Sequence, residues 1–151
     1  MKVFIFLFCS IATAFATEGW VDCGGSASDH GLDISDCPRV PCVFSHGDQF
    51  TITGTFTSNV ESRTLVPYAL ITAGGIELDI TELLGIDENA CNDLVTGDCP
   101  IQAGEDLVYR TSGTIIDIPG VSGDLIVTMI LAGDNGEDDP LTCAEVHFYI
   151  E

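Results

Sequence analysis

The sequence predicts an all-β domain of about seven antiparallel strands, closed as a sandwich or a barrel. Three observations carry this reading. Apolar residues recur with a period of two rather than 3.6, turn residues separate the alternating runs, and six cysteines follow the N-terminal segment.

The clearest strand places Phe50, Ile52, Gly54 and Phe56 on one face and Thr51, Thr53, Thr55 and Thr57 on the other. A second runs through Val66-Pro67-Tyr68-Ala69-Leu70-Ile71, with Pro67 marking a strand start or an edge. After Ala73-Gly74-Gly75 the chain turns, and Ile76, Leu78 and Ile80 alternate with Glu77, Asp79 and Thr81. Strands are expected at 107–111 and 114–118, broken at Ser112-Gly113. The last third reads as a hairpin. Leu125, Val127, Met129 and Leu131 share a face opposite Ile126, Thr128 and Ile130, and 142–150 returns with Val146, Phe148 and Ile150 aligned. Asn135-Gly136 favours the positive backbone angles of the intervening turn. Between 82 and 94 a loop is expected in preference to a helix, because Gly85 and clustered Asp and Asn disfavour a helical turn.

Residues 1–16 are read as a secretory signal peptide. Lys2 precedes the apolar run that opens Val3-Phe4-Ile5-Phe6-Leu7-Phe8, and Ala14-Phe15-Ala16 supplies the small-x-small cleavage pattern. The run is short for a bilayer span, so 17–151 is expected to form one soluble, secreted domain. Cys9 leaves with the leader. The remaining cysteines, at 23, 37, 42, 91, 99 and 143, imply three disulfides, for which arithmetic alone allows fifteen pairings. No Cys-x-x-Cys pair occurs, and an oxidising compartment favours bridges over zinc.

Charge narrows the function. The 24 acidic residues face 4 basic ones, of which Arg39, Arg63 and Arg110 lie beyond the leader. Such a surface repels DNA, RNA and anionic membranes, so neither a nucleic-acid partner nor stable membrane insertion is expected. His30, His46 and His147 lack ligand spacing and are read as surface or interfacial histidines, so no metal is expected. The run Asp134-Asn135-Gly136-Glu137-Asp138-Asp139 lacks the alternating ligands of a calcium loop and is read as a solvated hairpin tip. No nucleophile elbow, phosphate-cradling glycine loop or His-Glu-x-x-His is present. Neither catalysis nor a cofactor is therefore expected.

At the cysteines and their neighbours the chain resembles the ML lipid-recognition family, which includes the soluble Niemann–Pick type C cholesterol carrier and the group-two mite allergens. The residues that carry the resemblance are Trp20-Val21-Asp22-Cys23-Gly24, Cys37-x-x-x-Pro41-Cys42 with Gly47, and Gly85-Ile86-Asp87-x-Asn89-Ala90-Cys91. Cys99-Pro100-Ile101-x-x-Gly104, Tyr109, Asp134 and Leu141-x-Cys143 complete it, with all six cysteines in register.

The resemblance implies an immunoglobulin-like antiparallel β-sandwich of two sheets. It implies the pairings Cys23–Cys143, Cys37–Cys42 and Cys91–Cys99, and an apolar tunnel between the sheets. By position it places Leu83 or Leu84, Ile86, Tyr109, Ile116 and Val121 at the wall or mouth of that tunnel. Where the cholesterol carrier has entrance aromatics, this chain offers Leu83 or Leu84 and Gly120, which admits a slimmer or more flexible lipid. The implied function is that of a secreted carrier of a small apolar lipid, a sterol or fatty acid. Two other functions fit the same fold: innate-immune recognition of microbial lipids, and an interaction module with a filled core. Asn59, Asn89, Asn92 and Asn135 all lack the Asn-x-Ser/Thr pattern, so extracellular fluid is expected rather than the lysosome. The identity of a receiving membrane partner is not written in the sequence.

Overall fold

The computed structural model describes residues 16–151, so the expected leader lies outside the described residues apart from Ala16. Two sheets face one another. The first contains β1 (Val21–Gly24), β3 (Cys42–Phe44), β5 (Val66–Ala73), β6 (Ile76–Asp79), β9 (Gly123–Ala132) and β10 (Thr142–Ile150). Its order is β1-β10-β9-β5-β6, and β3 joins the same edge of β10 further along, in parallel. The second sheet, ordered β2-β4-β8-β7, contains β2 (Ser28–Ile34), β4 (Gln49–Thr57), β7 (Leu94–Thr96) and β8 (Asp106–Thr114).

Ten strands therefore stand where about seven were expected, and the difference has physical causes. β1, β3 and β7 are three or four residues long, too short to display a period. In β2, Asp29 adopts φ 54° and the register slips between Ser28 and Gly31, which hides its alternation. β8 runs unbroken through Ser112-Gly113, pairing these residues with Thr51 and Phe50, while 115–118 leaves the sheet as irregular chain. Gly113 is there for clearance: a Cβ would stand 2.6 Å from Phe50 Cζ and 2.7 Å from the Leu84 carbonyl oxygen. The loop after β6 thus rests directly on the end of β8.

Within 82–94 the chain is loop until a single 3₁₀ turn at Ala90–Asp93, where the Asn89 side chain accepts from the Cys91 amide. Pro67 sits where β6 does not reach, since β6 pairs only with residues 70–73 of β5. The β9–β10 ladder pairs Thr142 with Leu131 through to Ile150 with Gly123. Thr17 is buried at the start of the domain. Its amide donates to the Leu32 carbonyl and its hydroxyl to the Cys37 carbonyl.

The three disulfides join Cys23 to Cys143, Cys37 to Cys42 and Cys91 to Cys99. Asp134 does more than solvate a hairpin tip. Its carboxylate accepts from the Arg63 and Thr64 amides and the Thr64 hydroxyl, tying the β9–β10 connection to the chain entering β5.

Removing the Cys23–Cys143 bridge with a double Ser variant is expected to cost about 4–5 kcal/mol in urea unfolding, because it frees a loop of 120 residues. Loss of Cys37–Cys42, separated by 5, should cost clearly less. The amide bonds from Arg63 and the hydroxyl bond from Thr64 hold the Asp134 carboxyl below its ordinary 3.8. A depressed carboxylate stabilises above its unfolded value and loses that contribution as pH falls through the folded one. Urea midpoints between pH 5 and pH 2.5 should therefore drop on acidification, and drop less in Asp134→Asn.

Candidate functional site

A sandwich core is ordinarily continuous. Here the buried side chains divide into two clusters. One gathers Leu32, Ile34, Phe44, Phe50, Ile52, Ile71, Val146 and Phe148; the other gathers Phe56, Leu65, Ile101, Leu107, Tyr109 and Leu131. Between the sheets lies a cavity of about 120 Å³ lined by members of both clusters. Native interiors leave few voids larger than one water, and this one has room for on the order of ten.

The lining follows from strand alternation. β4 contributes Phe50, Ile52 and Phe56; β9 and β10 contribute Val127, Met129, Leu131, Ala144 and Phe148 from the opposite sheet. Gly54 interrupts the row of large side chains on β4. A Cβ there would find no heavy atom within 4 Å, so the missing side chain leaves open space. Partly exposed Leu84, Ile115, Ile116, Ile118 and Val121, on the loops after β6 and β8, form the apolar mouth. His46 buttresses that mouth from outside, its Nδ1 3.2 Å from the Ile116 carbonyl oxygen. No Asp, Glu, Lys or Arg lines the cavity among the described residues.

Five residues singled out from the sequence, Leu84, Ile86, Tyr109, Ile116 and Val121, lie together on this lining. Leu83 does not; it is 50% exposed and off the lining. Trp20, His30, Phe50 and Met129, which the sequence does not single out as contacts, also line it. The signal that could have found the cavity is Gly54, a notch in an otherwise regular apolar face.

His30 requires a correction. Of the surface and interfacial readings the surface one fails: its side chain is 9% exposed, in phase with the inward-facing Leu32 and Ile34 of β2. Its Nδ1 lies 2.9 Å from Asp22 Oδ2, and its buried Nε2 has no hydrogen-bond partner in the protein. Tyr109, 5% exposed, also holds its hydroxyl in the interior without a hydrogen bond of acceptable geometry. Burial pushes its pKa up to about 12; the neighbouring Thr111 hydroxyl opposes the shift and the more distant Asp93 and Asp87 add to it. Among the described residues no group of three or more His, Cys, Asp and Glu is placed to hold a metal, and no helix is long and apolar enough to cross a membrane.

Two disulfide-clipped sheets enclosing an uncharged apolar cavity define a β-sandwich of the lipid-recognition class. The sequence pattern of the ML domain family matches residues 19–150, and the chain belongs to that family. Mite group 2 allergen Lep d 2 of Lepidoglyphus destructor is 32% identical over 154 residues, covering 100% of both chains. NPC intracellular cholesterol transporter 2 of Canis lupus familiaris is 28% identical over 134 residues, covering 86% of this chain and 83% of its own. Among solved structures, a Niemann-Pick type C2 protein from Japanese carpenter ant superposes with a TM-score of 0.69 at 17% identity, covering 88% of this chain and 99% of that one. Chicken MD-1 complexed with lipid IVa gives 0.50 at 18% identity, covering 83% of each chain.

A raised phenol pKa contributes stability that is full below the unfolded value of 10.0 and is lost as pH rises through about 12. Absorbance titration at the phenolate band should show one late tyrosine, ionising near pH 12 or together with alkaline unfolding. The late step should vanish in Tyr109→Phe.

Proposed function

We propose that this chain is a secreted carrier that binds a small apolar lipid, a sterol, a fatty acid or a molecule of similar size, between its two sheets. The observation that carries the reading is the uncharged apolar cavity at the place where a sandwich ordinarily packs its core. Leu84, Ile86, Tyr109, Ile116 and Val121 are its proposed lipid contacts, joined by Phe50, Met129 and Gly54. The mechanism is burial: each 100 Å² of ligand apolar surface removed from water contributes about 2.5 kcal/mol, offset by the entropy of association.

The names of two relatives support this direction. One is a cholesterol transporter, and the other was solved with lipid IVa. The leader pattern and three disulfides support secretion into an oxidising fluid. Carriage is favoured over catalysis because the titratable side chains on the lining are one histidine and two tyrosines, with no carboxylate, thiol or amine on the lining among the described residues. A filled interaction module is disfavoured by the cavity itself. Recognition of phosphorylated microbial lipids would call for cations at the mouth, yet Arg39 pairs with Glu18 at 2.7 Å and Arg63 lies beside Asp134.

Native mass spectrometry of protein secreted from eukaryotic cells tests the reading. The expected species is six hydrogens light, cleaved near Ala16, and carries a co-purifying lipid; an empty protein that also refuses added sterols and fatty acids would refute it. Gly54→Val probes the cavity directly. Its φ is not in the left-handed region, so a β-branched residue fits the strand and fills the space. Lipid affinity should fall at least ten-fold while the melting temperature holds or rises. Unchanged affinity would place the ligand elsewhere.

A further inference from the structure

Resting on the carrier reading, we infer that the cavity selects a lipid bearing an uncharged hydroxyl, and that it holds this hydroxyl inside, at His30 and Tyr109, rather than leaving it at the mouth. Two buried polar side-chain atoms among the described residues make no hydrogen bond of acceptable geometry, His30 Nε2 and the Tyr109 hydroxyl beside Thr111, and both residues line the same cavity. Buried polar groups are nearly always paired, since leaving one unpaired costs as much as a lost hydrogen bond. Two such atoms on one otherwise apolar wall mark where a ligand must supply polar atoms of its own.

The topology brings them together. Leu32, Gly54 and Tyr109 lie side by side across β2, β4 and β8, and His30 is two residues from Leu32 on the same inward face. With strands about 4.8 Å apart and a rise of about 3.3 Å per residue, the Cα atoms of His30 and Tyr109 are roughly 10–12 Å apart. Gly54 lies between them in the strand order, and both side chains line the same cavity. Both residues therefore stand on the wall made by the four-stranded sheet rather than on the mouth loops at 80–86 and 115–121.

Their chemistry names the group. Asp22 Oδ2 is an acceptor, so the imidazole in its neutral form would carry its proton on Nδ1 and present a lone pair at Nε2. The Tyr109 hydroxyl is a phenol held neutral by its burial and donates readily. A wall with one acceptor and one donor suits an alcohol, which can give a proton to His30 and take one from Tyr109. A carboxylate suits it poorly. No Arg or Lys lines the cavity to balance a buried anion, and an unpaired charge in an apolar interior is far costlier than a hydroxyl. A pure hydrocarbon leaves both atoms unpaired.

The test is displacement of the uncharged dye N-phenyl-1-naphthylamine at pH 7.5 by three probes of equal chain length: 1-tetradecanol, n-tetradecane and tetradecanoate. Wild-type protein should prefer the alcohol over both others by about ten-fold, the weight of one to two well-made buried hydrogen bonds. In Tyr109→Phe and in His30→Leu the ratio of alcohol to hydrocarbon affinity should collapse toward one. The phenylalanine variant keeps the ring, so it carries the test alone if loss of the Asp22 partner prevents His30→Leu from folding. Empty Tyr109→Phe should melt at or above the wild type, because it discards a hydroxyl with no partner. A lower melting point would show that the hydroxyl is already satisfied within the protein, and would overturn the inference. So would an alcohol no better than the hydrocarbon, a tetradecanoate preference, or an alcohol preference that survives in the variants; in each of these cases the carrier reading stands. Failure of the dye and of all three probes to bind would remove the carrier reading itself and this inference with it.

Discussion

An apolar interior that is not filled must be held open against the tendency of its own walls to collapse. The side chains that line the cavity cannot do this, because the attraction between facing apolar side chains favours closure. The backbone ladders do it instead. β9 is paired on both sides from Ile126 onward, by β5 and β10, and β4 is paired on both sides by β2 and β8, so each wall is stiff at its centre. The two solid clusters flank the cavity and fix the separation of the sheets. The Cys23–Cys143 bridge fastens β1 to β10 at the edge of one wall. The binding capacity of the molecule depends on this rigidity more than on any single lining residue.

Against so stiff a frame, the mouth is built from a different material. The loops at 80–86 and 115–121 are irregular and carry half-buried aliphatic side chains. They are seated by bonds joining Ile80 and Thr81 to Ala69 of β5, by the Leu84 carbonyl against Gly113, by paired backbone bonds between Ile115 and the turn before β4, and by His46 on the Ile116 carbonyl. Paired walls and an irregular mouth are the division of labour that a container for a water-insoluble molecule requires. On the carrier function proposed above, selectivity would fall to the shape of the cavity and to the polar atoms on its wall, since the acidic exterior takes no part in the lining.

Much of this is legible in the sequence where residues speak locally. The threonine face of β4 and the aligned aliphatics of β9 and β10 declare their strands, and the two walls of the cavity with them. Short elements are not legible. β1, β3 and β7 owe their conformation to the neighbours they pair with rather than to their own three or four residues. Ser112-Gly113 misleads because glycine marks two opposite things, a break in a strand or a close approach by another segment, and only the nearby Leu84 backbone tells which. His30 misleads for a related reason. A polar stretch such as Ser28–Ile34 looks solvated until the bulge at Asp29 turns alternate residues inward. Of the candidate contacts, Leu84 and Leu83 are adjacent and chemically alike, so only the local path of the chain separates the one facing inward from the one facing water.

The position of β10 has a consequence for how the protein is made. This last strand is an interior member of its sheet, flanked by β9 on one side and by β1 and β3 on the other. The four-stranded sheet needs nothing beyond Thr114, whereas β1 and β3 wait for residues 143–150 before they have a partner. During synthesis one wall can assemble early and stand with its apolar face uncovered until the chain is nearly complete. The two short disulfides can close in that interval, but the long one cannot, because Cys143 emerges with the strand that completes the second wall. Nascent chains of this fold therefore present a sheet-sized sticky surface from the completion of β8 until the final strand arrives, and their folding depends on whatever shields that surface in the interval.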